Sequence, residues 1–258
     1  MPQTKIVFFD IDGTLIDMQA KKITPKMLET LHRLQDRGIK ICIATGRSPM
    51  VLPKIDGVAF DAYLTFNGSL CYDRKGVIFS NPIPHKDVVR FIQNAAALGR
   101  PVCVSTRDRL AANGTDTDLT DYFFIANEPV PVADDFDAVC AEDIYQLMLG
   151  CRPKDYPALL DGAPGAKIAA WWDRAVDVIP AGGGKGIGIE KTLAYYGLDK
   201  AEALAFGDGN NDREMLQAVG TGVAMENGSP ELKALADEIC GPVYEDGIYH
   251  YCADKGLI

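Results

Sequence analysis

Ile6-Val7-Phe8-Phe9-Asp10-Ile11-Asp12-Gly13-Thr14-Leu15 is the stretch that decides the fold. Its four consecutive apolar residues predict a strand buried on both faces, the kind found in parallel sheets. Two carboxylates follow at its carboxyl end, and a glycine turn comes at once. Open α/β sheets place their ligands at that edge. Carboxylates two residues apart beside a buried strand end repel each other and call for a counter-charge such as a metal.

Two further strand ends carry polar groups. Ile39-Lys40-Ile41-Cys42-Ile43-Ala44 leads into Thr45-Gly46-Arg47, and Ala203-Leu204-Ala205-Phe206 leads into Gly207-Asp208-Gly209-Asn210-Asn211-Asp212. Between them lies the glycine run Gly182-Gly183-Gly184-Lys185-Gly186, with one lysine. A carboxylate pair, a hydroxyl, a lone cation and a carboxylate–amide cluster therefore follow in that order. The order resembles the haloacid dehalogenase-like hydrolase superfamily over nearly the whole chain.

The same residues can be read chemically. Phosphoryl transfer needs a nucleophile held in line, charge neutralisation and a proton for the leaving oxygen. Asp10 is placed as the nucleophile of an aspartyl-phosphate. Asp12 is placed to protonate the leaving group and then to activate water. A carboxylate attacking an anionic phosphate needs a hard cation with oxygen ligands, which suits Mg²⁺. The resemblance implies that Asp10, the backbone carbonyl of Asp12 and the side chain of Asp208 hold it. It also implies that Asp212 orients the metal's water and that Asn211 lies near metal or phosphate. Thr45 can offer its hydroxyl and backbone N–H to the transferring phosphoryl, and Lys185 can neutralise both that group and Asp10. Gly46 belongs to the same turn as Thr45. Arg47 follows it and either reaches substrate or is a solvated helix-start arginine. Asn67-Gly68, after Ala62-Tyr63-Leu64-Thr65-Phe66, is either a turn or a substrate contact at the rim of the site.

Other motif readings fail on spacing. A P-loop needs Ser or Thr after its lysine, and Lys185 is followed by Gly186. An EF-hand starting at Asp208 would need glycine and glutamate where Arg213 and Val219 stand. Dehalogenating members of the superfamily lack the second aspartate, and the ATP-driven pumps carry lysine directly after the nucleophile. Asp12 and Ile11 thus resemble the pattern of phosphatases and phosphomutases.

Bulk properties bound the function. The chain has 258 residues and a formal net charge of −10, which argues against nucleic acid or an anionic membrane as the main partner. No apolar stretch approaches the roughly 20 residues of a membrane span. The first residues enter the first strand at once, leaving no room for a signal peptide. Seven cysteines without a C-x-x-C pair suggest reduced thiols and a cytoplasmic location.

Strands alternating with helices predict a doubly wound parallel α/β sheet of Rossmann type, with right-handed crossovers. Thr24-Pro25 through Arg37-Gly38 reads as a capped helix. Further helices are expected at 188–196, 212–219 and about 230–237, a strand at 222–225, and a helix-like tail from Asp246. None of the chemistry lies between Asn81 and Gly182. That stretch carries a helix near Lys86–Leu98, a strand at Pro101–Ser105, and apolar runs at Asp143–Leu149 and Lys167–Trp172. It reads as an inserted α+β domain at 84–182, with residues 1–83 and 183–258 forming the core. Its placement resembles the type IIB cap of the Cof-like phosphatases, which supplies the leaving-group pocket in that branch. In the insert, Trp171-Trp172 read first as core, Arg107 and Arg109 as a solvated loop, and Asp116-Thr117-Asp118 and Asp134-Asp135 as acidic loops.

The expectation is a cytoplasmic Mg²⁺-dependent phosphatase acting on a small phosphorylated metabolite, a sugar phosphate by preference. A phosphomannomutase-like phosphotransferase and a catalytically idle phosphosugar-binding protein are the alternatives. Oligomeric state and the particular substrate are left open.

Overall fold

The computed structural model describes residues 3–125, 127–170 and 172–258. Along the chain, β1 (Ile6–Phe9), α1 (Pro25–Asp36), β2 (Lys40–Ala44), β3 (Ala62–Thr65), β4 (Leu70–Asp73) and β5 (Gly76–Ser80) come first. Then come α2 (His85–Ala97), β6 (Cys103–Ser105), β7 (Leu110–Ala112), α3 (Thr117–Ile125), α4 (Phe136–Val139), β8 (Gln146–Gly150), α5 (Tyr156–Leu160), β9 (Ala166–Ala169) and β10 (Ala175–Pro180). The chain ends with α6 (Lys185–Tyr196), β11 (Ala203–Gly207), α7 (Arg213–Gln217), β12 (Thr221–Met225), α8 (Pro230–Lys233), β13 (Glu238–Cys240) and α9 (Gly247–Asp254).

These elements form two compact units. One contains the chain up to Gly46, Pro53–Ser80 and Gly184–Ile258; the other contains Arg47–Leu52 and Asn81–Gly183. Arg47–Leu52, assigned from sequence to the core, therefore groups with the inserted unit.

The first unit is built on an eight-stranded sheet in the order β13-β12-β11-β1-β2-β3-β4-β5. From β13 to β3 the pairing is parallel. The β3-β4 and β4-β5 pairs are antiparallel, so the sheet is mixed at one edge, where sequence predicts only parallel strands. Short turns force this, because a parallel return needs a crossover of a dozen or more residues. In the second of them, Asp73 Oδ1 accepts the N–H groups of Lys75 and Gly76 at 2.7 and 3.1 Å.

One sheet face presents Ile6, Phe8, Cys42, Ala44, Leu64 and Ala205 to Ile189 and Leu193 of α6 and to Met215 and Leu216 of α7. Val7, Phe9, Ile41, Ile43 and Phe206 point the other way by strand alternation and are buried as well. Both faces are covered, so β1 reads as an unbroken apolar run rather than an alternating one. Helix α1 forms as its sequence predicts. Thr24 Oγ1 accepts the Met27 N–H at 3.1 Å, Pro25 occupies the first turn, and Gly38 leaves the helix at φ +75°. Met27, Leu31 and Leu34 are buried and Leu28 only partly; each full burial contributes about 2 kcal/mol. Helix α6 starts at Lys185, a turn earlier than expected. The glycine run ends in its N-cap, Gly184, whose φ of +144° favours glycine.

The second unit is a five-stranded antiparallel sheet, β7-β6-β8-β10-β9. One face packs on Val88, Phe91 and Ala95 of α2 and Leu159 of α5. The other carries Cys103, Ala112 and Met148 beneath Leu119 and Phe123 of α3. The apolar run at Lys167–Trp172 is a strand only to Ala169. Trp172 lies in the following turn with the Arg174 guanidinium 4.4 Å from its ring centre, and Trp171 lies outside the described residues. The acidic loops are paired: Arg109 makes a bidentate contact with Asp135, and Asp118 receives Arg100 and Arg152. Among the described residues no helix is long and apolar enough to cross a membrane. All seven cysteines are free and buried.

Candidate active site

Strand register assembles the site. Phe9 lies opposite Ile43 on β2 and opposite Phe206 on β11. Asp10 is therefore level with Ala44 and Gly207, and the next residues on the flanking strands are Thr45 and Asp208. Residues 35 and 198 positions away in sequence are brought to one edge because three parallel strands end together. Phe9 and Phe206 stack beneath them at 5.5 Å, and the Asp10 N–H donates to the Phe206 carbonyl at 3.0 Å.

Lys185 joins this edge from the start of α6. Its ammonium donates to Asp10 Oδ1 at 2.6 Å and to Asp212 Oδ1 at 2.5 Å, and the side chain is 0% exposed. Close backbone approach sets its position. A Cβ on Gly68 would stand 2.5 Å from the Gly184 carbonyl oxygen, and one on Gly188 would stand 2.9 Å from the Gly68 Cα. Burial opposes the Lys185 ammonium, but Asp10 and Asp212 outweigh it and hold its pKa above the usual value.

Asp212 is fully buried and has both oxygens engaged. Oδ1 accepts from Lys185, while Oδ2 accepts the N–H groups of Asp208 and Gly209, each at 2.9 Å. It thus pins the loop that carries Asp208. Asp208 Oδ1 accepts the Thr14 hydroxyl at 3.1 Å. Burial raises the Asp10 pKa well above the usual carboxylate value; Lys185 pulls it down, and Asp212 and Asp208 push it up. Burial, then the charge of Asp212, pushes Asp208 up to about 7.

Ligand oxygens of Asp10, Asp208 and Asp212 lie within 4.8 Å of one another. Three carboxylates against one buried ammonium leave two negative charges, and every donor is a hard oxygen. That set fits a divalent cation with oxygen preference. Because Lys185 and two N–H groups occupy Asp212, Asp10 and Asp208 are the better direct ligands. The Asp12 carboxylate is outside this cluster. It sits in a tight turn in which Thr14, Leu15 and Ile16 all donate to the Ile11 carbonyl.

The Thr45–Gly46 turn is held by Asn67. Its N–H donates to the Thr45 carbonyl at 2.9 Å, its Oδ1 accepts from Asn211 Nδ2 at 3.1 Å, and it is buried at φ +52°. A Cβ on Gly46 would stand 3.2 Å from Asn67 Nδ2. The Thr45 N–H donates to the Leu64 carbonyl at 2.8 Å because β2–β3 pairing continues through it. The expected phosphate contact through that N–H is therefore corrected; the hydroxyl is the Thr45 group suited to it. Arg47 groups with the second unit, where its guanidinium donates to the Val51 carbonyl at 3.0 Å.

Sequence reasoning passed over Gly13 and Thr14. Gly13 stands at φ +81°, and a Cβ there would overlap the Asp208 carboxylate. The glycine and the hydroxyl directly after the aspartate pair were the available signal.

The family described as haloacid dehalogenase-like hydrolase matches residues 7–252, and the chain belongs to it. YkrA of Bacillus subtilis (strain 168) is 34% identical over 257 residues, 99% of each chain. The 5-amino-6-(5-phospho-D-ribitylamino)uracil phosphatase YitU of the same organism is 28% identical over 262 residues, 95% of each chain. A solved subclass IIB sugar phosphatase of the superfamily superposes with a TM-score of 0.89 at 28% identity, covering 99% of this chain and all of that one. The protein is a phosphatase of this superfamily and acts on phosphorylated substrates.

Proposed function

We propose that the protein hydrolyses the phosphate monoester of a small sugar or polyol metabolite through an aspartyl-phosphate on Asp10, with Mg²⁺ as cofactor. The observation that carries this reading is the buried Lys185 ammonium shared between Asp10 and Asp212 at the carboxyl edge of the sheet. Lys185 takes Asp10 Oδ1, so Oδ2 is the oxygen assigned to attack phosphorus. As that O–P bond forms, the bond to the leaving oxygen breaks, and Asp12 gives that oxygen its proton. Asp12 then removes a proton from water. The water oxygen attacks phosphorus, and inorganic phosphate leaves with Asp10 restored. Lys185 and the Thr45 hydroxyl stabilise charge on the transferring group. Held by Asp10, Asp208 and the Asp12 carbonyl, Mg²⁺ would supply charge neutralisation.

The sugar or polyol assignment draws on the names of two relatives, one a sugar phosphatase and the other a phosphatase of a phosphoribityl compound. Seven unpaired, buried thiols support a reducing, cytoplasmic setting.

The test is phosphate release across sugar, polyol and nucleotide phosphates, with and without Mg²⁺, in the wild type and Asp10→Asn. Release from sugar or polyol phosphates that needs Mg²⁺ and vanishes in Asp10→Asn is expected. Full activity in chelator, or an active Asp10→Asn enzyme, would refute the mechanism. A preference for nucleotides would refute the substrate class.

A further inference from the structure

The turn after β12 is used by no motif above and by no step of the mechanism, yet it grips two loops that carry the chemistry. Strand β12 runs parallel beside β11, with Ala224 opposite Gly207, so its end stands next to Asp208. In the turn, Asn227 Nδ2 donates to the Gly13 carbonyl at 2.8 Å, and Asn227 Oδ1 accepts the Val243 N–H at 2.9 Å. Two residues on, the Ser229 N–H donates to the Asp208 carbonyl at 2.9 Å, and its hydroxyl donates to Asn210 Oδ1 at 2.9 Å. Gly228 fits between because it lacks a side chain; a Cβ there would stand 2.9 Å from the Asp208 carbonyl oxygen.

We propose that Asn227 is a positioning residue for the reaction, holding the Gly13 turn, and through it Asp12 and Asp208, in working geometry. The inference rests on the phosphatase mechanism proposed above. Gly13 is where the two loops meet, since its Cα faces the Asp208 carboxylate with no space for a methyl group. Fixing the Gly13 carbonyl fixes the orientation of the peptide beyond it and limits how far the Asp12–Gly13 turn can tilt. A misplacement of about 1 Å at a reacting group can cost on the order of a hundredfold in rate. Asn227 is itself exposed, so its bonds matter little to the fold and much to the loop. A residue important only for folding would show the reverse.

Two substitutions test this. Asn227→Ala removes both bonds. Asn227→Asp keeps an oxygen for the Val243 N–H but sets a carboxylate oxygen against the Gly13 carbonyl. Both variants should lower kcat by about 10- to 100-fold, the range found when groups supporting a metal ligand are lost. KM should stay within about twofold. Mg²⁺ affinity, measured by calorimetry without substrate, should weaken several-fold, and melting temperature should fall by no more than about 2–4 °C. Wild-type kcat and Mg²⁺ affinity in Asn227→Asp would overturn the proposal, because the Gly13 bond would then do nothing. Activity lost only in step with a collapse in melting temperature would overturn it equally. A wild-type enzyme without Mg²⁺-dependent turnover would remove the underlying mechanism as well, whereas an active wild type with unaffected variants would remove this inference alone.

Discussion

Replacing Lys185 with methionine keeps most of the buried volume and deletes the charge, leaving Asp10 and Asp212 facing each other without a cation. At an effective dielectric constant of about 20, each of the contacts at 2.6 and 2.5 Å is worth roughly 6 kcal/mol before desolvation is counted. Desolvation of three buried charges cancels most of that, and breaking a buried pair costs about 3–5 kcal/mol net. Lys185→Met should therefore unfold in urea, in chelator, with stability reduced by about 3–5 kcal/mol, and should lose at least about a hundredfold in turnover with Mg²⁺ restored. The cause can be separated from mere repacking. Adding Asp212→Asn removes one of the two orphaned charges while keeping an oxygen for the loop N–H groups. The double variant should recover about 1–3 kcal/mol of stability relative to Lys185→Met, because an unpaired buried charge is the larger penalty. It should recover no activity. A double variant no more stable than Lys185→Met, or a Lys185→Met enzyme with wild-type turnover, would refute the reasoning.

Two further outcomes are expected. With p-nitrophenyl phosphate, whose leaving group needs little protonation, Asp12→Asn should accumulate a phosphate adduct on Asp10, seen by intact mass after rapid quench; hydrolysis at the normal rate without adduct would exclude Asp12 from proton transfer. In the second unit, hydrogen bonds from Arg152, aided by its charge and by Arg100, hold the Asp118 pKa below the usual value. A lowered folded-state pKa gives stability that is present above the unfolded-state value and lost as pH falls through the folded one. Asp118→Asn should thus destabilise the wild type most at neutral pH, with the difference shrinking below about pH 4; a pH-independent difference would show that the carboxylate charge is not what matters.

What could be read from sequence was local. The strand ends at Phe9, Ala44 and Phe206 were visible because strands buried on both faces are contiguous apolar runs, and a cluster of polar residues ends such a run. Thr24, Pro25 and Gly38 marked α1 because each has a backbone preference that acts within one turn. The missed features depend on partners distant in sequence. Strand β10 carries Asp177 in its centre and ends in Pro180, so its pattern reads as a break; Tyr122 donates to Asp177 at 2.6 Å and makes that burial tolerable. The Thr45 N–H looked available until β3 was placed beside it. Arg47 follows Thr45 by two positions, but its segment groups with residues from position 81 onward. Asn227 lies in an ordinary polar turn, and only the register of β12 against β11 brings it to Gly13.

The uneven use of three carboxylates follows from burial and backbone placement. Asp212, fully buried, sits where two loop N–H groups converge, so its second oxygen is committed to the chain itself. Asp10, one residue past a strand whose N–H already bonds to β11, meets no such donors and spends one oxygen on Lys185. Asp208 is anchored through its backbone by Asp212 and Ser229 and touches Thr14 by one side-chain oxygen. A single lysine can therefore serve two carboxylates with different duties: through Asp212 it stabilises the loop that presents Asp208, and through Asp10 it orients the attacking group. Separation of these duties is why Asp212→Asn should recover stability without recovering turnover when Lys185 is gone.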